Sequence, residues 1–526
     1  MSVKPTMGLL YDYVAQNAVL DPRGDAIVFH GERWSHAALQ YDVDAFSRAM
    51  LSRGIVAGDR IAALVSPNPT YWISFLAAAS IGAIWVGLNP RYQLNELQIT
   101  LADALPSMLI AADPNDGRDF AAMLAALCQP SDIPSFIVET VDINAASKVL
   151  AALITADREV TTAELAAARA AVDPRDPVTI VYTSGSTGPA KGALLHQQGM
   201  IDFAAGQNKL WPVSAIRVLN YFPVNHIGCI VDVSVPALVG GGTMVLMDQF
   251  VPRTSMELIV REKITIWGSV PSVFKMQLEL ADFNQFDLSS VELIVWGGAA
   301  MDAATIAKLR HVHPRLATNY GMTETSSAIT STVPTDNLEV LENSVGHAFP
   351  GVTIKLVDSD GCVVGENATG EVLARSPMNF LGYWQQPEAT AAAFDAEGFF
   401  RTGDLARTRP DGAYQIVGRV KEMYKSGGYN VYPREVEAVI DSHSAVGYSA
   451  VIGAADPLWQ EVGVAFVVLE ASATPAELEA HCRLCLANYK VPKRFVIVDA
   501  LPLLPIGKVD KKALSVLANS TMSSAL

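Results

Sequence analysis

The stretch "VTIVYTSGSTGPAKG", Val178 to Gly192, runs from a short β-branched apolar segment into a glycine- and hydroxyl-rich loop that ends on a lysine. Val178 to Tyr182 reads as a core strand, so the loop is expected at the end of a sheet. A Walker A loop is excluded, because Lys191 is followed by Gly192 and the hydroxyls precede the lysine. Thr183, Ser184, Ser186 and Thr187 offer hydroxyls, Gly185 and Gly188 let backbone N–H groups approach an anion, and Lys191 adds positive charge. Such a loop suits the outer phosphates of a nucleotide. A surface linker would account for the glycines and serines but not for the flanking strand or the lysine.

Outward from this loop, strand-like and helical periods alternate. Thr243–Met247, Ile264–Trp267 and Leu293–Trp296 read as strands, and Thr254–Glu262, Ser272–Leu280 and Ala303–His311 as helices. This is the pattern of βαβ units on a mostly parallel sheet, hence an α/β fold. After Pro350 the pattern changes to short alternating strands, "TIKLVDSDGCVVG" and "GEVLAR", which predict a small β-barrel-like subdomain over about residues 351–408. From Arg419 onward, strands Val464–Leu469 and Phe495–Val498 mix with helices Pro433–Ile440 and Ala476–Ala487. A large N-terminal part, 1–418, followed by a smaller α+β domain, 419–526, is the expected organisation.

The chain has 526 residues, half of them hydrophobic, with 38 basic and 54 acidic residues and a formal net charge of −16. That length supports roughly three or four structural units of about 150 residues. The negative charge disfavours binding to nucleic acids or anionic lipid surfaces. Five cysteines, Cys128, Cys229, Cys362, Cys482 and Cys485, make no disulfide framework and suit a reducing, cytoplasmic setting. Cys482 and Cys485 form a C-x-x-C without a second pair, so buried positions on a helix are expected rather than a metal site. The apolar run Trp72–Leu88 is short for a membrane span and stops at Asn89-Pro90, so a buried helix followed by a core strand is expected.

Further motifs follow in order: "NYGMTE" (Asn319–Glu324), "RTGDLA" (Arg401–Ala406), "GRVKEMYKSGGYNVYPREVE" (Gly418–Glu437) and "PIGKVDKKAL" (Pro505–Leu514). Together with "TSGSTGPAKG" they resemble the motifs of the adenylate-forming superfamily of acyl-CoA synthetases, peptide-synthetase adenylation domains and firefly luciferase. "VGLNPRY", Val86–Tyr92, fits the same pattern. The resemblance implies that a carboxylic acid attacks the α-phosphorus of ATP, pyrophosphate leaves, and the acyl-adenylate then passes to a thiol, with ATP and CoA as co-substrates and Mg²⁺ as cofactor.

The resemblance also implies roles for residues. Gly298, Ala299, Asn319, Tyr320, Gly321 and Met322 would form the adenine pocket, Thr323 would meet the α-phosphate, and Glu324 would hold Mg²⁺ with a hard oxygen. Asp404 would accept the ribose hydroxyls with Arg419 nearby, and Lys425 and Asn430 match positions near the nucleotide. Lys508 would be the catalytic lysine, an ammonium between two anions that otherwise repel. Lys421 matches the hinge of a rotating C-terminal domain, and Gly427-Gly428 the loop beside the pantetheine tunnel.

For the acid, "FPVNHIGCIVDVSVPALVGGG", Phe222–Gly242, is informative. His226 matches a gate between the nucleotide and acyl pockets. Gly228 stands where amino-acid-activating relatives carry an Asp that pairs with the α-amine, which disfavours an amino acid. Asp232 follows one helical turn later and would meet a hydroxyl or amine on the acyl tail, or cap a neighbouring turn. Trp267, Val270 and Trp296, with Val231 and Met322, would line the pocket for an aliphatic or aryl acid. Two positions depart from the pattern: Tyr424 replaces an aliphatic residue and Pro505 a polar one. The expected activity is an AMP-forming carboxylate:CoA ligase, monomeric or homodimeric; the alternatives are an adenylase loading a carrier protein and a nucleotide-binding regulator without turnover.

Overall fold

The computed structural model describes residues 7–112, 119–128, 137–141, 159–183, 190–426, 429–456, 458–503 and 509–523. Among them the strands form four sheets. The first has the order His347–Ala348, Ser327–Ser331, Leu316–Met322, Leu293–Trp296, Ile266–Ser269, Arg217–Asn220, Thr243–Leu246, Asp25–Phe29, Glu32–Ser35. Its interior pairs are parallel, as the βαβ pattern requires, and antiparallel strands close both edges. The second sheet runs Gly382–Tyr383, Lys191–His196, Pro177–Thr183, Ile84–Leu88, Arg60–Leu64, Met108–Ala112, Ile137–Val141. Helices lie between and outside the two sheets. One apolar cluster, with Ile27, Trp85, Phe203 and Ile230, spans the space between them, and two others cover their outer faces.

The expected elements are present with small shifts. Helix Pro252–Arg261 starts earlier than its period suggests because Pro252 supplies a preformed first turn. The next strand is displaced to Ile266–Ser269, since Lys263 (φ 53°) and the Ile264 N–H, bonded to the Ile259 carbonyl, are used to end that helix. Trp72–Leu88 is a helix, Pro69–Ser80, buried throughout, followed by the buried strand Ile84–Leu88. Asn68 caps this helix by accepting from the Tyr71 N–H. No helix among the described residues is long and apolar enough to cross a membrane.

After Pro350, the strands Thr353–Val357, Thr369–Arg375, Phe400–Thr408 and Tyr414–Arg419 form an antiparallel sheet that extends beyond Thr408. Its two outer strands do not pair with each other among the described residues, so it is an open sheet and not a barrel; four strands cannot curve far enough to close. The last sheet contains Tyr429–Val431, Tyr424–Ser426, Gln460–Leu469 and Val446–Asp456, with Arg494–Ile497 alongside. Tyr424 is accommodated there because Gly453 and Gly463, directly paired across the two long strands, leave room for its ring. Of the C-x-x-C pair, Cys482 is buried but Cys485 is exposed: it is the last residue of helix Pro475–Cys485, where the helix ends.

Candidate active site

The site is built around the hairpin of Leu316–Met322 and Ser327–Ser331, between which Thr323–Thr325 make one 3₁₀ turn. Gly321 is obligatory: a β-carbon there would run into the Ser327 carbonyl across the hairpin. A β-carbon at Gly297 would meet Oδ1 of Asn319, a side-chain atom that can move aside. Gly298 takes φ 79° just beyond strand Leu293–Trp296, so Gly298 and Ala299 form an exposed lip beside Asn319 and Tyr320.

Tyr320 donates its hydroxyl to Oδ2 of Asp404 at 2.7 Å, and Nε of Arg419 meets Oδ1 at 2.8 Å. The Asp404–Arg419 pair is a cross-strand pair of the four-stranded sheet, so two sheets contribute to one cluster. Asp404 itself is buried. Burial and the adjoining carboxylate raise the Tyr320 phenol, which therefore stays neutral and acts as a donor.

Glu324 is the next element outward. Its Oε1 accepts from the Tyr383 hydroxyl at 3.0 Å, while Nζ of Lys191 lies 4.8 Å from the centre of the Tyr383 ring. Burial raises the Glu324 carboxyl, and Arg419 and Lys191 oppose that rise. Tyr383 thus links the lysine of the opening loop to the acid of "GMTE". Sequence reasoning missed it, because "LGYW" carries no spacing that marks chemistry; it reaches the site only because Gly382–Tyr383 pairs with Lys191–His196.

Deeper in, Met322 pairs with Ser327, and the Ser327 hydroxyl donates to Oδ1 of Asp232. Asp232 lies on Gly228–Ser234, which is a π-helix and not the expected α-helical turn. The two residues still adjoin: a β-carbon at Gly228 would lie 3.7 Å from Oδ2 of Asp232 and 3.0 Å from Nδ1 of His226. That Nδ1 accepts from the Gly228 N–H at 3.0 Å, which fixes the imidazole edge towards the same space. Gly87 of "VGLNP" allows this arrangement, since a β-carbon there would be 2.5 Å from the Val224 carbonyl.

Three expected pocket residues are elsewhere. Trp267, Trp296 and Val270 pack with Phe274 and Ile306 in the cluster on the outer face of the nine-stranded sheet, whereas Ile230, Val231 and Met322 belong to the inner one. Strand alternation is the reason: in Ile266–Ser269, Ile266 faces inward and Trp267 outward, where its Nε1 donates to Gln277. Lys425 pairs with Asn430 across a hairpin of the C-terminal sheet, and its backbone N–H donates to Glu461. Lys421 is exposed in the turn after Arg419. Ser184, Gly185, Ser186, Thr187, Gly188, Gly427, Gly428 and Lys508 lie outside the described residues. A surface concavity of about 500 Å³ is lined by residues including His30, Asp248 and Arg261, none of them an expected site residue.

Residues 14–384 match the model of the AMP-binding enzyme family, and residues 435–508 match that of the AMP-binding enzyme C-terminal domain. The chain belongs to the AMP-binding enzyme family. This AMP-binding enzyme is 33% identical over 95% of its length, and 96% of the relative's, to an indoleacetate–CoA ligase of Aromatoleum aromaticum. It is 30% identical to a long-chain-fatty-acid–CoA ligase of Mycobacterium tuberculosis, with 95% and 96% covered. Its fold matches ATP-bound MatB of Rhodopseudomonas palustris with a TM-score of 0.82 at 27% identity, covering 97% of this chain and 98% of that one. The amide bond synthetase McbA of Marinactinospora thermotolerans matches with a TM-score of 0.84 at 28% identity, covering 97% and 99%. These relatives place the enzyme in the acyl-CoA synthetase branch of its family.

Proposed function

We propose that this AMP-binding enzyme is an AMP-forming carboxylic acid:CoA ligase that activates an aliphatic or aryl carboxylate as its adenylate and transfers the acyl group to CoA. The observation that carries this reading is the continuous line of groups from Lys191 through Tyr383 to Glu324 and on through Met322 and Ser327 to Asp232 and His226. Such a line has a phosphate end and an acyl end. CoA as the acceptor is supported by the relatives named CoA ligases.

In this reading the loop 183–191 grips the β- and γ-phosphates that leave together, and Tyr320 offers its ring to adenine while its hydroxyl holds Asp404. Asp404 receives the ribose hydroxyls as a buried carboxylate acceptor. Thr323 binds the α-phosphate. Lys508 stands between the attacking carboxylate and that phosphate, lowering their repulsion in the transition state. Glu324 fits a magnesium ion: its carboxylate is a hard oxygen donor steadied on Oε1 by the Tyr383 hydroxyl, and a lone carboxylate among phosphates is the setting Mg²⁺ takes. The bound ion would neutralise the leaving pyrophosphate. After adenylation, rotation about Lys421 withdraws Lys508 and presents Gly427-Gly428 to the thiol. The domain boundary at residues 418 and 419 belongs to the same reading.

The test is a panel of acids scored for ATP-dependent pyrophosphate release and then CoA-dependent AMP release. Formation of ADP and phosphate would overturn the assignment.

A further inference from the structure

Asp232 is a carboxylate deep between two sheets, and burial pushes it up from the ordinary range against the opposing hydroxyl of Ser327. Among the described residues no Lys, Arg or His nitrogen forms an ion pair with it, and Ser327 is the side chain that donates to it. An interior carboxylate with one neutral donor is poorly compensated. Yet it retains some accessible surface, so it borders a space rather than being sealed in packing.

That space has a definite location. A β-carbon built on Gly228 would lie 3.7 Å from Oδ2 of Asp232 and 3.0 Å from Nδ1 of His226, so both groups border the same small space. The donor on Oδ1 is held there by unusual backbone: Ser326 has φ 50° and Ser327 φ 95°, both left-handed for non-glycine residues. Conformations of this kind persist where surrounding structure enforces them, commonly at binding sites. Among the described residues the buried Ser326 Oγ has no hydrogen-bond partner.

Resting on the carboxylate:CoA ligase reading, we propose that Asp232, oriented by Ser327, accepts a hydrogen bond from the acyl part of the substrate, so that the acid carries an N–H or O–H donor. Gly228 opens the path to Oδ2, and a donor there completes the coordination the protein leaves unfinished. A site built to bond such a group rejects analogues lacking it more strongly than an apolar pocket rejects a missing methylene.

The experiment uses the full chain and three matched sets: indole-3-acetate with its N-methyl analogue; 4-hydroxyphenylacetate with 4-methoxyphenylacetate and phenylacetate; and 6-hydroxy- and 6-aminohexanoate with hexanoate. Pyrophosphate release gives kcat/KM, and calorimetry gives binding of the same acids. The expected result is a preference of about tenfold or more for the donor-bearing acid in at least one set, falling to within about twofold in Asp232→Leu and reduced in Ser327→Ala. Unchanged circular dichroism and urea midpoint, together with unchanged calorimetric binding of ATP, report an intact fold in Asp232→Leu and in the isosteric Asp232→Asn. Equal or better use of plain or methylated acids in every set would overturn the proposal, as would a preference that survives Asp232→Leu. Donor-selective binding without pyrophosphate release would uphold the proposal and overturn the ligase reading. Neither binding preference nor turnover would overturn both.

Discussion

Tyr383 connects two groups that the proposed reaction places at different ends of ATP. Its hydroxyl holds Oε1 of Glu324 while its ring lies under Lys191, so removal of the hydroxyl frees a carboxylate that must be aimed at the metal. Tyr383→Phe is expected to lower kcat/KM for MgATP by about tenfold, in line with loss of a hydrogen bond to a charged group, and to leave KM for the acid within about twofold. Initial rates at varied MgATP and varied acid separate the two. Lys508→Ala is expected to reduce adenylation by about 10² to 10³ while sparing thioester formation from supplied acyl-AMP, as measured by hydroxamate trapping and by CoA-dependent AMP release. Equal losses in the two half-reactions would remove the role assigned to Lys508. At this scale the sequence was uneven. Tyr320, Glu324, Asp404 and Lys191 were legible because each sits in a motif, whereas Tyr383 and Ser327 were not, because their significance lies in contacts with residues 59 and 95 positions away.

The hairpin of Leu316–Met322 and Ser327–Ser331 shows what an element contributes beyond its residues. Gly321 and the carbonyl of Ser327 approach so closely that a methyl group cannot be placed between them. Gly321→Ala is therefore expected to cost about 1–3 kcal/mol of stability, as overpacking does, and to abolish adenylation even where folded protein remains. Denaturation with urea and pyrophosphate release on the same preparation check both parts. Strand and helix identities were readable from period alone, as Leu293–Trp296 and Ala303–Val312 demonstrate. The face of each strand was not. Trp267 and Trp296 were apolar and near the right motifs, but which side of a doubly covered sheet a residue occupies depends on register, and both faces of such a sheet are apolar.

At the scale of the molecule, Lys421 lies between two anchored neighbours. Arg419 is ion-paired to Asp404 in the four-stranded sheet, and Glu422 is ion-paired to Lys511, which also holds Glu437, in the C-terminal part. The proposed rotation between the parts would fall on the residues between those anchors. Lys421→Pro, which fixes φ there, is expected to impair thioester formation more than adenylation, measured as the two half-reactions separately. The C-terminal part also contains a pH-dependent cost. Asp441 is pushed up to about 6 by burial, against the opposing effects of Ser449 and Arg434. Because its folded pKa exceeds the unfolded value, its favourable contribution is complete in acid and is lost as pH rises from about 4 through about 6. Asp441→Asn is expected to gain about 1–3 kcal/mol over the parent at pH 7.5 and little at pH 4, read from urea denaturation at both values. The sequence by itself determined the α/β class and the family, because local period and short motifs are written in neighbouring residues. Only the tertiary structure decided that Tyr383 joins Lys191 to Glu324, that Asp232 faces the space above Gly228, and that the tryptophans turn away, because those are properties of sheet order and register.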